Sequence, residues 1–274
     1  MGAFIGPLGG LVEATQWQEK QSVSTGTAPS FFTGLNGART AFVHPPAGRA
    51  LREWDVSMSG ARPEDAAAFQ TLALGGMGQG PFVFADPLAQ VTNLLTPRQS
   101  LMDPTLLGTS SPRSNITAAT LGGDPAGLVP TTASAGFWGY NTPVHPEKPV
   151  TLSLTVQGSA TVSFRVMRQG WTALQQKQTT VSVDKPQRVS LTLLPPFAQD
   201  AIMCGFTVTA TTATLISRPQ ITWTGEPLPW AVGRGASQVI VHSLAEDFDR
   251  AEPGADGERR LDYSATVTEV GSGA

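Results

Sequence analysis

Between residues 150 and 223 the chain repeatedly alternates apolar and polar side chains. Val150, Leu152, Leu154 and Val156 are interleaved with Thr151, Ser153 and Thr155, and Val162, Phe164 and Val166 with Ser163 and Arg165. Val189, Leu191 and Leu193 flank Ser190 and Thr192, Ile202, Cys204, Phe206 and Val208 continue the pattern, and Ile221 with Trp223 ends it. A period of two puts successive side chains on opposite faces of a strand, so each run is half-buried. Such runs at spacings of roughly 10 to 20 residues, separated by turn residues, predict an antiparallel β-sandwich or jelly roll.

Composition agrees with that constraint. Charged residues make up 14% of the 274-residue chain, which carries 29 glycines and 22 prolines, a turn-rich balance unlike that of a helical bundle. The length suffices for one large or two ordinary domains. A net charge of −3 without a dense basic cluster gives nucleic-acid binding no electrostatic support. No apolar run approaches 18 residues, so membrane insertion is not expected, and the N-terminus lacks the basic and long apolar regions of a signal peptide. The single cysteine, Cys204, excludes an intrachain disulfide framework and, lying on the apolar side of its run, reads as a buried thiol.

The flanks read differently. Strand candidates are Gly10 to Trp17, Phe31 to Phe42 and Ala50 to Ser59, the last with Trp54, Val56 and Met58 facing a core. Pro63 opens a short helix that Gly75 closes, with Ala66, Phe69 and Ala73 on one side. A glycine-rich turn leads to the aromatic strand Pro81 to Phe84 and an Asp86-Pro87 turn, after which Asn93 to Pro97 is an extended linker. Residues 101–136 read as a loop carrying two short strands. Beyond Gly225, QVIVH (238–242) is a strand, Ser243 with Glu246 fits a capping box opening a helix near Leu244 to Arg250, and Arg259 to Val270 alternates again. The terminal strand is too isolated to fold by itself. The expected architecture is therefore mainly β, with a discontinuous sandwich-type domain of residues 1–97 and 226–274, bearing one or two short helices, and an inserted jelly roll of residues 98–225. The glycine-rich segment Gly2 to Leu11 is expected to dock on a neighbouring subunit.

The succession LREWDVSMSG (51–60), helix and glycine turn, FVFADPLAQVTNLLTP (82–97) and RRLDYSATVTEVG (259–271) resembles the minor tail proteins of siphophages infecting actinobacteria, and among them the distal tail class. The run FWGYNTPVHPEKPVTLSLTVQG (137–158) separately resembles carbohydrate-binding jelly rolls. The first resemblance implies a virion protein of the tail tip, assembled in the host cytoplasm. It implies a homo-oligomeric, hexameric ring joining the tail tube to the baseplate hub, with tail tube, tape measure and hub proteins as partners and inserted modules facing host glycans. A closed ring requires two different complementary edges on each subunit.

Catalysis has little support in the residues. His44, His145 and His242 sit before prolines or at a strand end, and no G-x-S-x-G is present, so no catalytic residue, metal ligand or cofactor is expected. Asp247, Asp249, Asp256 and Glu258 cluster in sequence, but their spacing fails the EF-hand loop. Asp124 reads as a turn residue. The candidate ligand-binding residues are Trp138, Tyr140 and Trp171, with Phe137 beside them. They flank glycines and turns, where a flat ring can stack on a sugar, whereas Trp223 alternates with Ile221 and belongs to the core.

Overall fold

A computed structural model describes residues 2–14, 17–24, 30–33, 39–42, 51–61, 63–78, 80–104, 106–107, 115–131, 133, 138–247 and 261–270. In chain order the elements begin with β1 (Ala3–Gly6), β2 (Val12–Ala14), β3 (Trp17–Ser24), β4 (Ser30–Thr33), β5 (Arg39–Phe42), β6 (Leu51–Ala61) and α1 (Pro63–Ala73). Next come β7 (Phe82–Ala85), α2 (Pro87–Thr92), α3 (Pro97–Ser100), β8 (Thr117–Leu121), β9 (Asp124–Val129) and β10 (Trp138–Pro143). The chain ends with β11 (Val150–Met167), β12 (Ala173–Leu193), β13 (Met203–Ala210), β14 (Thr214–Thr222), β15 (Ala236–Asp247) and β16 (Leu261–Glu269). The protein is mainly β, with curled antiparallel sheets in a sandwich-like arrangement.

Two compact units emerge. One gathers Met1–Gly2, Val12–Pro81 and Gln238–Gly273, and the other Ala3–Leu11 and Phe82–Ser237. Residues 82–97 and 226–237, placed by the sequence reading with the flanks, thus pack in the second unit. The apolar residues of the supposed linker explain this: Leu94 and Leu95 are buried in the same core cluster as Leu152, Phe164 and Phe206.

In the first unit, β15, β16, β6 and β3 pair antiparallel in that order, and β4 pairs with β5. Trp54, Val56 and Met58 are buried as their alternation predicts, with Tyr263, Ala265 and Val267 of β16 also inside. Phe69 and Leu72 anchor α1. Arg52 reaches the strand terminus opposite through its Nε and Nη2, which donate to the two carboxylate oxygens of Glu269 at 3.0 and 2.9 Å. The helix expected near Leu244 to Arg250 does not form over its described part. β15 continues to Asp247, with Ala245, Glu246 and Asp247 paired to Ser264, Tyr263 and Asp262. Ser243 sits at φ 55° in a bulge, its Oγ hydrogen-bonded to His242 Nδ1 instead of capping a turn. Long-range pairing with β16 outweighs the local capping pattern.

In the second unit, the strand path is β10-β13-β11-β14-β9-β8, with β12 along the other edge of β11. Thr151 to Gln157 of β11 pair with β14, and Ala160 to Met167 pair with β13. One 18-residue strand therefore serves two sheet regions in turn, where the sequence suggested two separate strands. Gly158, at φ 122°, marks the changeover. Leu152, Leu154, Val156, Val162, Phe164 and Val166 of β11 share one core with Cys204, Phe206, Val208, Ile216 and Ile221. Each such fully buried side chain contributes about 1.5–3 kcal/mol from burial. Along β12, Gln175 and Lys177 stand opposite Val166 and Phe164 yet remain exposed, polar positions that blunt a sheet edge.

The segment Gly2 to Leu11 corrects a second expectation, since its strand packs on its own chain. β1 pairs with β7, and the Phe4 ring lies 5.1 Å from Trp223 and 5.1 Å from His145. Lys148 Nζ stands 4.3 Å from the Phe4 ring and 5.2 Å from that of Trp223, and donates to Gln90 Oε1 at 3.0 Å. A short apolar strand that finds an aromatic seat in its own chain needs no neighbouring subunit to bury it.

Candidate functional site

Directly paired residues of an antiparallel sheet share a face, and the face opposite the core is where β11, β12 and β13 display their polar positions. Three cross-strand rows follow from the register: Thr209–Thr161–Thr180, Thr207–Ser163–Gln178 and Gly205–Arg165–Gln176. Hydroxyls and carboxamides both donate and accept, which suits them to polyhydroxylated ligands. Within the array, Gln176 Nε2 donates to Gln178 Oε1 at 3.2 Å, and Thr161 and Thr180 share a hydrogen bond of 3.2 Å. Two of its atoms, Ser163 Oγ and Arg165 Nε, are buried without any hydrogen-bond partner. Unsatisfied buried polar atoms are uncommon in folded proteins. Beyond Arg165 the strand continues to Met167, paired with Met203, both buried.

The β11–β12 hairpin closes at this end through residues 168–172, and Trp171 stands at its tip. It is 52% exposed and adopts φ 65°. A bulky residue in the left-handed region is a strained one, and such strain concentrates at sites where position matters more than stability. Arg168 Nη1 and Asp200 Oδ2 pair at 3.3 Å in the same exposed region.

A second polar cluster lies on the β11–β14 half of the sheet and differs in being saturated. Arg188 donates from Nη2 to Ser153 Oγ at 2.6 Å and Gln220 Oε1 at 2.7 Å, and from Nη1 to the Arg218 carbonyl at 2.6 Å. Gln220 Nε2 in turn donates to the Thr92 and Pro229 carbonyls. Desolvation, followed by the like charge of Arg218, pushes the Arg188 guanidinium down to about 10, still cationic near neutrality. Arg218 pairs with Asp124 at 2.8 Å, and its guanidinium carbon stands 5.5 Å from the Trp230 ring centre. These groups hold loops to the sheet.

Of the aromatic candidates, the structure presents Trp171 to solvent and withdraws Trp138. Trp138 is 6% exposed, its indole N–H donating to the Gln99 carbonyl at 3.2 Å, so it has no face to offer a ligand. Its glycine-flanked position suggested a rim, but a partner 39 residues earlier draws the ring into the core. Tyr140 lies in β10, its side chain outside the described residues, as is Phe137. Trp223 is buried and donates to the Pro143 carbonyl. Sequence reasoning passed over Ser163, Arg165, Gln176 and Gln178, since a row of small polar residues looks like any solvated strand face. The available signal was Arg165, a charge on the polar side of an otherwise Ser/Thr-bearing strand.

For other chemistry, Cys204 is buried, and desolvation pushes its thiol far above the ordinary range. His145 accepts the Glu147 N–H at Nδ1, and His242 hydrogen-bonds Thr268 through Nε2. His44 lies outside the described residues, as do Asp249, Asp256, Glu258 and the Asp247 side chain. Among the described residues no three His, Cys, Asp or Glu side chains are grouped to hold a metal ion.

No family model and no curated protein sequence matches the chain. Among solved structures it is similar to a family 16 carbohydrate-binding module, at 13% identity and a TM-score of 0.31, over 40% of this chain and 86% of that one. A xylan-binding domain from Paenibacillus barcinonensis aligns at 11% identity and a TM-score of 0.32, over 41% of this chain and 82% of the other. The enzymatically active domain of a bacteriophage CBA120 tailspike protein aligns at 8% identity and a TM-score of 0.27, over 76% of this chain but only 19% of the tailspike. At these scores the functional reading stands on the chain's own geometry.

Proposed function

We propose that the chain is a structural component of a phage tail tip, a protein of the distal tail type that assembles as a ring between tail tube and baseplate hub. The observation that carries this reading is the discontinuous first unit, built from stretches on either side of a sandwich that occupies Phe82–Ser237. A body whose chain is interrupted by a β-module is the organisation that the tail-protein resemblance implies. On this reading the chain assembles and binds, and breaks no bond. Its partners are further copies of itself, the tail tube, the tape measure and the hub. Electron microscopy and sedimentation of the purified protein test it: closed rings support the reading, and a strictly monomeric species that is also absent from assembled tails removes it.

A second reading places the function in the sandwich, as a glycan-binding receptor module of the tail tip. The polar array on β11, β12 and β13, ending at the exposed Trp171, favours it. Binding to host cell walls that is lost in Trp171→Ala, with the fold retained, supports this role. Absence of binding to a broad glycan array and to host cell walls removes it.

A further inference from the structure

We infer that the outer face of β11, β12 and β13 recognises a carboxylate-bearing saccharide, with Arg165 as its anchor. The inference rests on the glycan-binding reading above and specifies the class of sugar. Arg165 is the one charged side chain in the three rows, which otherwise contain threonine, serine, glutamine and glycine. Its Nε is buried without a hydrogen-bond partner. Other arginines of this unit are paired with carboxylates: Arg168 with Asp200 and Arg218 with Asp124. Lys177 pairs with Phe164 in the register, on the core-facing side of β12, and its Nζ donates to the Thr192 carbonyl. A guanidinium held partly out of water without an anion is costly, and the planar fork of arginine matches a carboxylate with two parallel hydrogen bonds.

The neighbours define where that carboxylate sits. Directly across from Arg165, β13 carries Gly205, which has no side chain, while β12 carries Gln176. Ser163 is two residues along the same face, about 7 Å away by strand geometry, and its own Oγ also lacks a partner in a residue that is 6% exposed. An acidic sugar seated with its carboxylate at Arg165 directs ring hydroxyls along the strands toward Gln178 and Thr207. A neutral sugar supplies the hydroxyls and leaves the guanidinium uncompensated.

The test uses the full chain on a glycan array of uronic- and sialic-acid-bearing oligosaccharides, each beside its carboxyl-reduced counterpart, followed by titration calorimetry on the best-bound pair. The expected result is binding of the acidic member at least about tenfold tighter than its reduced counterpart. Arg165→Gln is expected to abolish that preference, and Arg165→Lys to restore only part of it because the charge returns without the fork. Equal affinity for both members of every pair overturns the inference and leaves glycan binding standing. No binding to any sugar, acidic or neutral, overturns both. The comparison of reduced and unreduced ligands is made on the unaltered protein, so it decides the matter even if an Arg165 variant fails to fold.

Discussion

Asn93 is bound to Ile221 through its Oδ1, which accepts the Ile221 N–H at 3.2 Å, and the next residue, Leu94, donates its N–H to the Ile221 carbonyl at 2.7 Å. The carboxamide serves both ends of the sandwich segment. Its Nδ2 donates to the carbonyls of Pro219 at 3.2 Å and Ala231 at 2.9 Å, and its Oδ1 also accepts the Leu95 N–H at 3.1 Å. The backbone continues the clasp, with Arg234 N–H donating to the Asn93 carbonyl and Gly235 N–H to that of Leu95. A Cβ at Gly235 would meet the Leu94 carbonyl, so only glycine lets the outgoing chain run this close to the incoming one.

Asn93→Ala should therefore destabilise the second unit by about 3 kcal/mol or more, since it strands several buried donors and acceptors at once. Asn93→Asp should be nearly as harmful, because it turns a donor into an acceptor facing two carbonyls. Denaturant unfolding followed by tryptophan fluorescence measures both. A loss under about 1 kcal/mol for Asn93→Ala would show that water replaces the clasp.

The legible and illegible parts of this chain divide along the range of the interactions involved. Val150 to Val156 and Cys204 to Val208 could be read as strands because each alternates against a core it faces directly. Asn93 could not be read as a clasp, because its partners lie about 126 and 138 residues downstream. Ser243 shows the opposite case: a local capping motif is present in sequence, but pairing with β16 claims the backbone. Trp138 and Trp171 both border glycine or turn residues in sequence, and only a distant carbonyl, that of Gln99, separates the buried ring from the exposed one. The array around Arg165 stayed hidden because its rows exist only once β12 and β13 are in register with β11.

Gly158 is the pivot of β11, and Gly158→Ala should cost about 2 kcal/mol or more. An added Cβ would lie 2.7 Å from Thr214 Oγ1 and 2.9 Å from both the Ala213 carbonyl oxygen and Thr214 Cα, at a φ of 122° that L-residues rarely adopt. Thermal unfolding checks it. An unchanged midpoint would mean that β11 bends elsewhere.

Arg52 and Glu269 make an ion pair whose side chains are 8% and 13% exposed. Arg52→Leu alone leaves the carboxylate uncompensated and should destabilise the first unit by about 3 kcal/mol, whereas Arg52→Leu combined with Glu269→Leu should be milder. A double-mutant cycle gives the coupling directly. Additive losses would show that the pair is screened by water.

Cys204 sets a pH dependence whose sign follows from its burial. The folded thiol is pushed well above its unfolded value of about 9, so the unfolded chain loses this proton first as pH rises. Its contribution to stability is complete below pH of about 9 and declines above it, at up to about 1.4 kcal/mol per pH unit. Cys204→Ala should remove that slope while costing about 1 kcal/mol at neutral pH through the small cavity it leaves. Stability measured from about pH 8 to 10 in both proteins distinguishes the slopes. The same burial makes the native thiol slow toward aromatic disulfide reagents until denaturant opens the core.

Trp171 offers the sharpest contrast between stability and binding. Trp171 is 52% exposed, and φ 65° suits glycine better than an aromatic residue. Trp171→Gly should change stability by no more than about 1 kcal/mol, because relief of the strained φ offsets the contacts that are lost. If the sandwich is the glycan-binding module proposed above, the same substitution should weaken glycan binding by about tenfold or more, the loss expected when a stacking ring is removed from a sugar. A residue retained for packing would show the reverse, a drop in stability with affinity intact. Thermal unfolding and glycan titration of this one variant therefore separate a strained recognition residue from an ordinary turn residue.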